Sequence, residues 1–165
     1  MKFSKRSSFI LFLVVLNIAI DQISKFWIRA NITPNSKSSI IGDLFTLHNV
    51  ENTGAFLGLG SDLNPTIKFF LLLLLPLLVL GFVLYQVFAD KNMDKLSLLG
   101  FCCIIGGGIA NVYDRFAYGQ VTDFFHIDLG YGLKTGIFNM ADVSVSTGMV
   151  LLLLGAFLKW KKTKQ

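Results

Sequence analysis

Hydrophobic and polar positions along the chain alternate between four long apolar runs and two mixed segments. The first run, SFILFLVVLNIAIDQISKFWI, covers Ser8 to Ile28 and is nearly free of charge over its opening two thirds. The others cover about 67–88, 96–113 and 137–158. Runs of this length, at about 1.5 Å of rise per residue, suit a hydrocarbon core about 30 Å thick, so each predicts a membrane-spanning helix. Pro76 interrupts the second run, where membrane helices tolerate a kink. The third carries Gly106, Gly107 and Gly108, small residues that let helices approach closely.

The two mixed segments read differently. Residues 30–66 open on the turn-formers TPNSKSS and continue as short apolar stretches broken by Gly, Asn and Asp; residues 116–136 are similar. Short strands at the membrane surface fit these patterns better than further spans. The predicted fold is an all-α integral membrane protein, a four-transmembrane-helix bundle with a small β-containing extracytoplasmic element. One membrane-embedded domain is expected over 1–165. Residues 1–20 have the basic start and apolar core of a signal peptide, but no A-x-A site follows, so the first span is expected to be retained.

Charge sets the orientation. Lys2, Lys5 and Arg6, Lys91 and Lys95, and Lys159, Lys161, Lys162 and Lys164 make up nine of the fifteen basic residues. By the positive-inside rule these three segments are cytoplasmic, both termini included, and the mixed segments lie outside. Asp21, Asn52, Arg115, Asp123 and Asp142 then converge near the outer membrane surface. A hydrophobic content of 53% with sixteen Phe excludes an ordinary soluble domain, and the net charge of +5 gathers at the chain ends rather than on a nucleic-acid-binding face. No nucleic-acid partner is expected; membrane phospholipid is. Cys102 and Cys103 are adjacent in an apolar run, which rules out a disulfide framework and a CxxC metal site and leaves them as packing residues.

The polar residues sit at helical spacings. Asn139 and Asp142 are three apart, so Asn139 can cap a helix that presents Asp142 near its mouth. Asn111, Asp114 and Arg115 share an i, i+3, i+4 relation, and Asp21 and Lys25 an i, i+4 relation. So many ionisable groups do not face lipid; a polar cavity between helix ends is the economical arrangement, with Asp123 in VTDFF as a further member. Two carboxyls in such a pocket cannot both ionise cheaply, so one keeps a proton while the other draws a proton from water, the chemistry of aspartyl hydrolysis. No serine elbow or HExxH is present, and His48 and His126 are isolated.

Each residue also has a structural reading. Asp142 satisfies a helix amino terminus, Asp114 with Arg115 and Asp21 with Lys25 form internal ion pairs, Asn52 is a turn residue in ENTGAFLG, and the histidines pack at headgroup level. The residues alone leave open a hydrolase, a small proton-coupled transporter or channel using Asp21, Asp114 and Asp142, and a non-enzymatic assembly factor.

Five motifs in order, DQISKFW (21–27), ENTGAFLG (51–58), GGGIANVYDR (106–115), VTDFF (121–125) and FNMADVSVSTG (138–148), resemble the lipoprotein signal peptidases, bacterial signal peptidase II, over essentially the whole chain. Ser24 stands where the first motif can carry Thr. The resemblance implies a metal-free, cofactor-free aspartic endopeptidase that removes the signal peptide from diacylglyceryl-cysteine prolipoproteins. It implies a catalytic pair Asp123 and Asp142, with Asp114 as the rival for the first place. Asn52, Asn111, Arg115 and Asn139 would line the substrate site, and Asp21, Lys25 and Asp114 would support it. Phe45, Phe56, Phe124, Phe125 and Tyr131 would rest on the interface and help close the site.

Overall fold

A computed structural model describes residues 4–55 and 58–164. Lys2 and Phe56, named above, lie outside the described residues. The chain runs α1 (Lys5–Asn31), β1 (Lys37–Ile41), β2 (Phe45–Asn52), α2 (Pro65–Ala89), α3 (Lys95–Tyr118), β3 (Val121–Ile127) and α4 (Met140–Thr163). All four helices are long and apolar enough to cross a membrane. Phe12, Phe82, Val150 and Leu153 are exposed on their outer faces, as expected where lipid replaces water.

α3 is the centre of the bundle, and its three consecutive glycines explain how. A Cβ at Gly106 would meet Asn17 of α1 at 2.6 Å, one at Gly107 would collide with Ala141 of α4, and one at Gly108 would meet Leu80 of α2 at 2.7 Å. Each glycine thus admits a different neighbour. At the end away from the sheet, Ile10, Val14, Val87, Leu98, Cys102 and Ile105 form an apolar core. There Arg6 donates to the carbonyls of Val87 (2.8 Å) and Asp90 (2.7 Å), and Lys159 pairs with Asp94 at 2.6 Å. Cys102 is buried and Cys103 half-buried.

Pro76 leaves its mark one turn earlier than its own position. It has no N–H for the carbonyl of Leu72, and the helix widens into π-turns over Phe69–Leu74, where Leu75 donates to Phe70, five residues back.

The mixed segments form one antiparallel sheet in the order β1-β2-β3. Ile28, Ile32 and Phe124 make a second apolar core beneath it. Two boundaries differ from the apolar pattern. α3 continues past Tyr113 to Tyr118, ending on Gly119 in the left-handed region (φ 74°), so Asp114 and Arg115 are helical. α4 starts at Met140 rather than Ile137, because Phe138 exchanges backbone hydrogen bonds with Phe125 of β3 and Asn139 is still extended.

Candidate active site

The sheet end of the bundle is built on Asn139. Its side chain accepts from the N–H of Asp142 at 3.0 Å, while its own N–H donates to Asp142 Oδ2 at 3.1 Å, a reciprocal cap that fixes the first turn of α4. The same side chain has an amide to spare. Asn139 Nδ2 donates to Asp123 Oδ1 at 2.6 Å and to Asn111 Oδ1 at 3.2 Å. One asparagine therefore ties Asp142 on α4 to Asp123 on β3, and both carboxyls stand on opposite ends of a single residue.

The second oxygen of each carboxyl is held as well. Asn111 Nδ2, on α3, donates to Asp142 Oδ1 at 3.1 Å. Asn52 Nδ2, at the end of β2, donates to Asp123 Oδ2 at 2.8 Å and to the carbonyl of Ala55 at 3.0 Å, while Asn52 Oδ1 accepts from Gly54 N–H. The turn reading of Asn52 is thus fulfilled by one end of its amide, and the other end reaches the carboxyl. Arg115 donates to the carbonyl of Gly54 at 2.8 Å and to that of Asn111 at 3.2 Å, pinning the turn after β2 to α3. Among the described residues, every direct donor to either carboxyl is neutral. Among the described residues, neither Asp123 nor Asp142 is in an ion pair. Burial pushes the Asp123 carboxyl up to about 6; neighbouring Asp142 pushes the same way, and the amides of Asn52 and Asn139 hold it back.

Two clefts open beside the pair and share Gly136. One, of about 660 Å³, runs from Asp142 down α4 past Val143, Ser146, Thr147, Val150 and Leu151. The other, of about 320 Å³, lies beside Asp123, Asn52, Thr53 and Ser61.

Asp114 sits apart from this pair. It is fully buried and its partners are Lys25 (2.8 Å), Arg29 (3.4 Å) and Gln22 (2.9 Å), not Arg115, the partner that adjacency in sequence suggested. Successive helical residues point about 100° apart, so neighbours in sequence face different helices. Lys25 also pairs with Asp21 at 2.7 Å, and Asp21 Oδ1 accepts from the N–H of Ala141 at the start of α4. Asp21, Asp114 and Lys25 are fully buried, while Arg29 is part-exposed. Gln22 and Arg29 were missed in the sequence. For Arg29 a signal exists: Asp21, Lys25 and Arg29 form an i, i+4, i+8 ladder on one face.

His48 and His126 pack edge to face across β2 and β3, with centroids 5.4 Å apart. Among the described residues no group of three or more His, Cys, Asp or Glu is placed to hold a metal ion.

Residues 13–158 match the model of the family described as Signal peptidase (SPase) II. The chain is 36% identical over 150 residues to the lipoprotein signal peptidase of Pelodictyon phaeoclathratiforme, with 86% of each chain covered. It is 31% identical over 150 residues to that of Streptococcus pyogenes serotype M1, covering 91% of this chain and 93% of the other. It is 30% identical over 149 residues to that of Gloeobacter violaceus, covering 90% and 82%. A bacterial membrane enzyme solved by the in meso method at 2.3 Å has the same fold, with a TM-score of 0.80 over 96% of this chain and 92% of that one, at 23% identity.

Proposed function

This chain belongs to the signal peptidase II family, and from that membership together with the Asn139-linked aspartates we propose that it is an integral-membrane aspartic endopeptidase that removes the signal peptide from diacylglyceryl-cysteine prolipoproteins. The observation that carries the aspartic reading is the single asparagine holding Asp123 and Asp142 together, at 2.6 Å to one and through a reciprocal cap to the other.

The chemistry follows from the electrostatics. Two buried carboxyls served only by neutral donors share a proton near neutral pH, and the titration belongs to the pair. The ionised member takes a proton from a water between them as that water attacks the scissile carbonyl. The protonated member gives its proton to the carbonyl oxygen. Collapse of the tetrahedral intermediate breaks the C–N bond, leaving a carboxylate on the signal peptide and, after proton transfer, an amine on the lipid-modified cysteine. Asn52, Asn111, Asn139 and Arg115 position the pair and the peptide, and Asp21, Lys25 and Asp114 support them. The apolar cleft along α4 suits a substrate helix lying in the bilayer, and the cleft beside Asp123 suits the polar chain beyond the cut. On this reading the whole chain is one peptidase domain of the bacterial cytoplasmic membrane, bathed in phospholipid. Both termini are cytoplasmic and the aspartates lie near the outer face.

Asp123→Asn and Asp142→Asn test it. Each should lower cleavage of a lipid-modified precursor by about 10⁴-fold while the protein still inserts, because an amide cannot cycle the proton. Substantial turnover in either variant removes that residue from the mechanism. Asp114→Asn is the control for the rival assignment and should keep the chemistry in whatever fraction folds. A tag after Gln165 should resist protease added outside intact cells, whereas one near Asn35 should be cut.

A further inference from the structure

Lys25 is a fully buried ammonium with three close oxygen partners. They are Asp21 Oδ2 at 2.7 Å and Asp114 Oδ2 at 2.8 Å, both ion pairs, and Asn111 Oδ1, which accepts a hydrogen bond at 2.8 Å. The first two contacts balance charge. The third does something else, because Asn111 is the residue whose other end reaches Asp142.

An asparagine amide has a donor end and an acceptor end of nearly the same shape, and either can face a carboxyl group. An ammonium can only donate, so it admits only the oxygen of Asn111. Asn139 Nδ2 donates to that same oxygen at 3.2 Å. The NH2 of Asn111 is thereby forced toward Asp142 Oδ1 at 3.1 Å. With Asn139 N–H on Oδ2, both oxygens of Asp142 face donors, so the group is oriented to accept on both sides.

We propose that Lys25 is a positioning residue for catalysis: its ammonium locks the orientation of the Asn111 amide and so holds Asp142 ready to act as the base. This rests on Asp123 and Asp142 being the catalytic pair. The other charged groups around Asp142 are Asp123 on β3, Arg115 and Asp114 on α3, Asp21 on α1, and Lys134 at the rim of the cleft. Of these groups and Lys25, Lys25 is the one that donates to the Asn111 side chain. Loss of Lys25 frees the amide to turn its oxygen toward Asp142 and also withdraws a positive charge. Both changes favour the protonated acid, so the acid limb of the rate profile moves up in pH.

The test pairs two variants that keep buried charge balanced as far as possible. Asp21→Asn retains Lys25, and the asparagine oxygen can still accept from Ala141 N–H. It removes one negative charge, so the acid limb of the kcat–pH profile should stay in place or move down. Asp21→Asn with Lys25→Met removes one charge of each sign. The limb should then move up by about one pH unit, with KM within about twofold of wild type. A merely structural role would lower the amount of folded enzyme without moving the limb. A double variant that inserts normally and keeps the wild-type limb overturns the proposal. Should the double variant fail to insert, Asn111→Asp in the otherwise unchanged chain supplies the second reading. Its carboxylate can pair with Lys25 but has no proton to give Asp142, so the limb should again rise, and an unmoved limb overturns the assignment. Asp142→Asn in the same assay separates the two levels: activity there removes the catalytic pair itself, whereas an inert Asp142→Asn beside an unmoved limb removes only the role of Lys25.

Discussion

Two acidic clusters lie buried at the sheet end of the bundle, joined through Asn111, and they are built on opposite principles. In one, Asp21 and Asp114 are paired with Lys25 and Arg29, so each carboxyl group has a cation beside it. In the other, the donors that reach Asp123 and Asp142 among the described residues are neutral: the amides of Asn52, Asn111 and Asn139 and the backbone N–H of Asn139. An ion pair fixes structure by tying side chains of different helices together, at a cost if either partner is removed. An amide orients a carboxyl without placing a full charge on it, and burial then carries Asp123 up to about 6 against the pull of its amides. The same residue type thus serves as a fastener in one cluster and as a candidate reagent in the other, and the choice is made by the charge of its neighbours.

Moving a carboxyl out of the second cluster should have the largest effect. In Asp142→Ala with Thr147→Asp, the acid lies five residues farther along α4, about 7.5 Å at 1.5 Å per residue, beyond reach of a water shared with Asp123. Cleavage in a precursor-processing assay should fall to background, a loss of about 10⁴-fold. Wild-type turnover there would end the two-carboxylate reading.

Breaking the first cluster should cost stability instead. Lys25→Ala leaves Asp21 and one side of Asp114 buried without their cation, and such losses run to about 3–5 kcal/mol. Thermal unfolding in detergent should show a marked drop for Lys25→Ala and a much smaller one for Asp123→Asn. Equal drops would mean that the clusters do not differ in kind.

Asn139→Ala removes the amide shared by the two aspartates and the cap of α4. A loss of about 10²-fold in kcat is expected, with stability lowered by about 1 kcal/mol from the lost cap. A variant that loses stability and keeps kcat would reduce Asn139 to a cap.

The smallest effect concerns pH and stability. Asp123 titrates at about 6 in the folded chain and at about 3.9 when unfolded. Below about pH 4 both states are protonated. As pH rises through 4 to 6 the folded state holds a proton that the unfolded state releases, so stability falls. The wild-type unfolding temperature should therefore decline relative to Asp123→Asn over that window. A constant gap between the two curves would show that burial does not govern this carboxyl.

Sequence alone determined the four spans, the strand-like character of the segments between them, and the helix start at Asn139 and Asp142. These are local matters of apolar length, turn formers and helical spacing: Asn139 and Asp142 read as a cap from their separation of three, and the helix begins there. The reading faltered where partners come from different helices. Adjacency offered Arg115 to Asp114, but adjacent helical side chains diverge, and Asp114 pairs with Lys25 and Arg29 ninety and eighty-five residues or so away on α1. Ile137 and Phe138 are apolar enough for a helix, yet the hydrogen bonds of Phe138 to Phe125 hold that stretch extended. Only the tertiary structure decided which acids meet cations and which meet amides, because that depends on how three glycines let α1, α2 and α4 close around α3. A carboxyl's chemistry is set by the groups within a few ångströms of it, whichever part of the chain supplies them.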